Sequence, residues 1–343
     1  MSASVMGDEI TSSTRFSPIT EADHAGYVWI VTILAVTYTA LACLLRAWIK
    51  FRVYGLDDLL IAAGTALHLV QAVIVFLALS SGLAKSNTIT DPTGSSAASQ
   101  AFFTAKAIGF VILGLSKCSS LALTLRLVSP STGQSGTWHA CLIMMIVSVT
   151  WCIASVIAIS TDCAVGAILG PEREGRCPSM YDRLLGITLL DIITDFLICL
   201  LPLWATVPLN MAKGVKFKMS LAFSFRILVV PQSILCLFYF GAAAKSTDAQ
   251  LAITNSLLSE QVAIAFSLIS ATVPNLRIFI TSFDSGFNLP ALGNKIESPY
   301  ELQNVSGGNM NQQAQVCRMT SGDGRNLDGT GSEDRIVGEH LYF

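Results

Sequence analysis

Charge is scarce in this chain. Of 343 residues, 13% are charged against 52% hydrophobic, and the mean hydropathy is +0.60. A soluble domain carries about a quarter charged residues, so the polar surface that water demands is missing. The formal net charge of −2 removes the basic balance that draws nucleic acid, and no nucleic-acid partner is expected. Histidine is rare as well, with four scattered residues, and no spacing of His and Cys fits a metal site. A Gly-rich phosphate loop, a paired Cys-x-x-Cys and a His pair suited to haem are all absent, so no cofactor is expected. The first 26 residues hold Asp8, Glu9, Glu21 and Asp23 against a single Arg15, without an apolar run. A secretory signal peptide needs a basic start and an apolar core. The first apolar stretch is therefore expected to serve as the targeting signal and to stay in the protein.

What the chain has is apolar length. Seven stretches of roughly 20 residues, the length that crosses a bilayer, occupy about 27–47, the segment after Asp58 to residue 80, 101–127, 141–161, 184–209, 220–243 and 252–281. They predict an all-α fold, a polytopic seven-transmembrane-helix bundle over residues 27–283. Residues 1–26 read as a polar extracytoplasmic tail. Residues 284–343, rich in Gly, Asn, Gln and Ser, read as a disordered cytoplasmic tail.

Orientation follows from Lys and Arg near span ends, which stay on the cytoplasmic side. One side collects Arg46, Lys50, Arg52, Arg126, Lys213, Lys216, Lys218, Arg277 and Lys295; the other collects Arg15, Lys85, Arg173, Arg176, Arg183 and Lys245. The bias favours an outside N-terminus and a cytoplasmic C-terminus. The sequon Asn304-Val305-Ser306 then lies in the cytoplasm and stays unmodified. Either the plasma membrane or the endoplasmic reticulum fits. Cys43, Cys118, Cys141, Cys152, Cys199 and Cys236 lie in or beside spans, as small packing residues. Cys163 and Cys177 share the long outer loop, where oxidising conditions favour a disulfide. Their bridge closes a loop worth about 3 kcal/mol of chain entropy.

Ionisable groups at bilayer depth cost roughly 2.5–3.5 kcal/mol each, so every one inside a span needs a partner. Asp191 and Asp195 are four apart and share a face of the fifth helix. Lys117 on the third lies at a matching depth, given a rise of about 1.5 Å per residue. A Lys117–Asp195 pair or a Lys117–Asp191–Asp195 cluster near the midplane is predicted, as structural glue or as a functional site. His68 and Gln71 share a face of the second helix and could line a cavity; a hydrogen-bonded core histidine is the safer reading. Arg226 sits two turns from a membrane boundary and is expected to snorkel outward. Lys106 and Glu260 are placed near the outer interface. Asp57 and Asp58 complement the N-terminus of the second helix and are within reach of Arg46, Lys50 or Arg52. Pro202, Pro231 and Pro274 interrupt spans five, six and seven, and such breaks often border cavities.

Several of these segments recur together in one family. Tyr54-Gly55-Leu56-Asp57-Asp58 resembles the Tyr-Gly-x-Asp-Asp signature of fungal-type rhodopsin-domain membrane proteins. Leu115-Ser116-Lys117-Cys118-Ser119-Ser120 with Leu125-Arg126-Leu127 resembles their Lys-x-Ser…Arg segment. Asp191 to Asp195 running into Leu200-Leu201-Pro202 is similar to their Asp-x-x-x-Asp…Leu-Pro stretch, and Pro274-Asn275-Leu276-Arg277 to their Pro-x-Leu-Arg end. The resemblance implies a seven-helix membrane protein of a filamentous fungus with an outside N-terminus. Some relatives are receptor-like and linked to surface sensing; others belong to secondary-metabolite pathways. The chain departs from the receptor-like branch in lacking a cysteine-rich N-terminal module. Retinal is not expected: residues 252–281 contain no lysine for a Schiff base, and Lys117 is read as the only deep lysine.

Three functions follow. A receptor-like sensor would bind an apolar small molecule in the bundle and contact a cytoplasmic signalling partner through its basic inner loops. A membrane-embedded non-redox enzyme, a cyclase or isomerase, would use Asp191 or Asp195 as general acid or base with Lys117 orienting it. A transporter or pathway scaffold comes third, because many carriers show paired repeats and none is evident here. The sensor is placed first.

Overall fold

The structure is a computed structural model, and it describes residues 23–51, 54–86, 92–127, 135–161, 179–206, 221–246 and 248–286. Seven helices in it are long and apolar enough to cross a membrane. They are α1 (Ala25–Ile49), α2 (Leu56–Ser80), α3 (Pro92–Leu127), α4 (Ser135–Ser160), α5 (Met180–Thr206), α6 (Leu221–Lys245) and α7 (Thr254–Gly286), the last preceded by a single turn, Ala249–Ala252.

Each is a run of Leu, Ile, Val, Phe and Ala that cannot satisfy its backbone in lipid except as a helix. The bundle is inverted relative to a soluble protein. Leu41, Leu44, Ile146, Ile153, Ile193 and Phe238 lie on the outside, whereas Thr39, His68, Gln71, Lys117, Asp191, Asp195 and Arg226 are buried. An apolar exterior and a polar interior are what an integral, multi-pass membrane protein requires.

Helix α3 is the longest and, with α7, the most enclosed: two thirds of each apolar window is buried, against about a fifth for α1, α4 and α6. Helix α3 packs on α2 and α4, and α7 on α1 and α6. The start of α3 lies nine residues before its apolar stretch. Pro92 suits the first helical position, and Ser95 is sheltered by the single turn before α7, whose Gln250 Nε2 donates to Ser95 Oγ at 2.8 Å. Helix α7 likewise runs to Gly286, past the expected start of the tail at Asp284. The rest of both tails lies outside the described residues.

A 3₁₀ turn, Phe225–Leu228, interrupts α6 just before Pro231. Proline offers no N–H to the carbonyl four residues earlier, here Ile227, and the tighter turn absorbs the mismatch. Pro202 and Pro274 lie within α5 and α7.

The chain enters α2 through Gly55, whose N–H donates to Asp58 Oδ2 at 3.0 Å. At the opposite end of the bundle, His24 N–H donates to the carbonyl of Ala84 at 3.0 Å, and Lys85 lies 3.7 Å from Asp23. We call these the Asp57 end and the His24 end.

Candidate functional site

The deepest charges meet in one place. Lys117 on α3 is fully buried, and its Nζ lies 2.8 Å from Asp191 Oδ1 and 3.3 Å from Asp195 Oδ1. The ammonium also donates to Thr194 Oγ1 at 2.5 Å and to the Asp191 carbonyl at 3.0 Å. The Trp151 ring centroid is 4.5 Å away, a cation–π contact, and that ring is held by its Nε1–H donating to the Ile187 carbonyl at 3.2 Å.

One lysine cannot neutralise two carboxylates, and Arg226 supplies the second cation. Its Nε donates to Asp195 Oδ1 at 2.9 Å, and its guanidinium donates to Ser120 Oγ at 2.9 Å. The expected outward snorkelling of Arg226 is therefore corrected: the side chain is 4% exposed and turned inward. Outward, it would have left Lys117 alone against two buried carboxylates, a cost of several kcal/mol. Ser116 extends the network to α7, donating to the Ser267 carbonyl at 2.7 Å, while Ser267 donates back to Ser116 Oγ at 2.9 Å.

A second buried pair lies nearer the His24 end. Lys106 Nζ is 3.0 Å from Glu260 Oε2 and 3.4 Å from Cys236 Sγ. Lys106 is 5% exposed, so its placement at the solvated interface is corrected, and Lys117 is not the only deep lysine. Gly109 makes room for the pair, since a Cβ there would lie 2.8 Å from Glu260 Oε1.

Between the two pairs lies a cavity lined by α3, α4, α5, α6 and α7, with about 540 Å³ of atom-free space, part of it open to the surroundings. Lys106 and Glu260 line one part and Asp191 and Ser233 another, with Phe110, Trp151, Phe240 and aliphatic side chains between. Ser233 donates to Asp191 Oδ2 at 3.2 Å. Asp195 does not line this cavity.

His68 and Gln71 are both fully buried. His68 Nδ1 lies 3.1 Å from Thr39 Oγ1 and Nε2 lies 3.4 Å from Gln261 Oε1. Gln71 Nε2 donates to the Ala105 carbonyl at 3.0 Å and borders a small void, shared with Glu260 and Gln261, that is too tight for water. His68 is thus a hydrogen-bonded core residue. Cys163 and Cys177 lie outside the described residues. Among the described residues no group of three His, Cys, Asp or Glu could hold a metal ion.

At the Asp57 end, Asp57 is completely buried and takes Arg46 at 2.5 Å, Lys50 at 2.6 Å and Arg126 at 2.7 Å. Asp58 takes Arg46 at 2.6 Å. Arg46 also donates to the Ala271 carbonyl on α7 at 2.9 Å, and Ser119 to the Asp57 carbonyl at 2.8 Å. A Cβ on Gly55 would fall on the Arg126 guanidinium, so with any larger residue there the arginine must shift from its present path to Asp57.

A model of the fungal rhodopsin domain matches residues 26–282. The chain belongs to the fungal rhodopsin domain family. Neither the comparison with curated proteins nor that with solved structures gives a match. The segments that resemble the fungal rhodopsin signature make two clusters in space. Gly55, Asp57, Asp58 and Arg126 form the clasp at the Asp57 end, and Lys117, Asp191 and Asp195 form the interior network. Motifs far apart in this fungal rhodopsin chain are halves of the same ion pairs. Arg226, Lys106 and Glu260 went unpaired in the sequence reading, although a charge count held the signal: two aspartates facing one lysine call for a second cation.

Proposed function

We propose that the protein is a receptor-like sensor of a small apolar molecule, which binds in the cavity between the two buried ion pairs. One observation carries this reading: buried polar contacts lead from the cavity wall toward the Asp57 end, with the last step carried along the backbone of α3 and α7. Asp191 lines the cavity and holds Lys117, which holds Asp195, which holds Arg226. Arg226 bonds to Ser120 on α3, and Ser116, one turn earlier, bonds to Ser267 on α7. One turn further along each helix, Ser119 and Ala271 hold the Asp57–Arg46 clasp. A ligand that alters Asp191 changes the electrostatic balance along this path, and packed interiors respond by switching rather than by deforming continuously.

By the positive charge near span ends, the Asp57 end faces the cytoplasm. A cytoplasmic signalling partner would read the clasp there. The alternative, an embedded cyclase or isomerase of a secondary-metabolite pathway, needs a carboxylate free to exchange protons with substrate. Both carboxylates in the cavity wall already hold a lysine, Asp191 with Lys117 and Glu260 with Lys106, which favours the sensor.

The full-length protein in lipid nanodiscs, with a fluorescent amino acid at exposed Phe51, tests this. A library of apolar metabolites is scanned for thermal stabilisation, and each hit is followed by emission at residue 51 and by mass spectrometry of the compound. A sensor gives an emission change that Arg226→Gln abolishes, with the compound recovered intact. Recovery of an isomerised product would overturn the sensor in favour of the enzyme.

A further inference from the structure

The walls of the cavity define the chemistry of its occupant, a deduction that rests on the cavity being the ligand site. Three features decide it: net charge, unused hydrogen-bonding capacity and size.

The charges in and next to the wall are Lys106, Glu260, Asp191 and Lys117, two of each sign and each in an ion pair. They sum to zero. An ionised ligand would bring an uncompensated charge into an apolar interior, at a cost far above one hydrogen bond. A neutral molecule meets no such penalty.

The polar atoms left over set the pattern of the molecule. An ammonium has three donors, and Lys106 uses two, on Glu260 and Cys236; the third is left for an acceptor on the ligand. At the other pole, Asp191 Oδ1 is taken up by Lys117 at 2.8 Å, while Oδ2 accepts from Ser233, itself in the cavity wall, at 3.2 Å and keeps a lone pair for a further donor. Asp191 is 4% exposed and lines the cavity. A carboxylate so placed wants a donor such as a hydroxyl. Between the poles the wall is aromatic and aliphatic, with Phe110, Trp151 and Phe240 prominent.

The space present sets the size: about 540 Å³, part of it open to the surroundings, admits a small molecule only.

We infer that the site takes a neutral, small, mainly apolar molecule with a carbonyl acceptor at one end, held by Lys106, and a hydroxyl donor at the other, held by Asp191. The class is that of short hydroxy-ketones and hydroxy-lactones.

The probe is 8-hydroxyoctan-2-one, with 2-octanone, 1-octanol and the cation 8-aminooctan-2-one as partners. Binding to the full-length protein in nanodiscs is measured by equilibrium dialysis against empty nanodiscs, which subtracts partition into lipid. The hydroxy-ketone is expected to bind about tenfold or more tightly than either single-function probe, the ratio for one charge-assisted hydrogen bond. In Asp191→Asn its advantage over 2-octanone collapses, while its advantage over 1-octanol stays. In the charge-balanced double variant Lys106→Met/Glu260→Gln the opposite advantage collapses. Ala263→Leu, which fills the cavity without touching a charge, abolishes binding of every probe and covers the case in which the polar variants fail to fold. Equal binding of the three neutral probes, or tighter binding of the cation, overturns the assignment of ligand class while the cavity remains the binding site. Binding of every probe unchanged in Ala263→Leu, or no binding at all, overturns the cavity itself as the site.

Discussion

Asp195 shows how a single side chain can tie three helices together. It sits between two cations on two other helices, Lys117 at 3.3 Å and Arg226 at 2.9 Å. Asp195→Leu leaves those two cations facing Asp191 alone, and breaking a buried pair from one side costs about 3–5 kcal/mol. Asp195→Leu combined with Arg226→Leu restores the one-to-one balance of Lys117 and Asp191. The single variant is therefore expected to melt early and the double variant to recover most of the loss, followed by fluorescence-detected gel filtration of heated, detergent-solubilised protein. A double variant as fragile as the single one would show that the pairing does not set the stability. Gly55 is the second decisive residue, because any Cβ there displaces Arg126 from its present path to Asp57. Gly55→Ala is expected to lower the melting temperature in the native background and to add nothing once Arg126→Ala is present; independent, additive losses would refute the contact.

Among the elements, α6 carries the irregularity on which the site depends. The 3₁₀ turn Phe225–Leu228 contains Arg226, and each 3₁₀ residue turns about 20° further than an α residue. Pro231→Ala gives the Ile227 carbonyl a donor and lets α6 close into a regular helix. Arg226 would then swing by about 60°, away from Asp195. Loss of thermal stability is the expected outcome, and Asp195→Leu should add little to it, since the pair is already broken. A Pro231→Ala variant as stable as the parent would mean the turn is not what aims Arg226. The extent of α3 teaches a related lesson. Its apolar stretch marks the middle well, but Ser95 and Ser99 near its start read as loop, whereas in the bundle both are buried, Ser95 against Gln250 of the turn before α7. Serine favours turns only while its hydroxyl competes for nearby backbone, and a neighbouring helix removes that competition.

For the whole molecule, we propose the orientation that the charge bias favours, an outside N-terminus with Arg46, Lys50 and Arg126 at the cytoplasmic ends. In that orientation Asn304 is expected to remain free of glycan. Protein from a glycosylating host should show no mass shift at that peptide after glycosidase treatment, and a shift would reverse the orientation. The same orientation exposes Cys163 and Cys177 to oxidising conditions. Thiol labelling of intact membranes is expected to reach both only after reduction; labelling without reductant would exclude the bridge.

The sequence by itself determined the seven spans and the matching depth of Lys117 and the Asp191–Asp195 face. At about 1.5 Å of rise per residue, position in a span is a coordinate along the helix axis. Azimuth and partner choice are not written in that coordinate, because a side chain's direction across the bundle depends on how the helices pack. Only the tertiary structure decided that Arg226 turns inward, that Lys106 pairs with Glu260 in the interior, and that a cavity separates the two pairs. The physical reason is the same for all three: a buried charge goes where the nearest uncompensated opposite charge lies, and that position is set by neighbours far away in sequence.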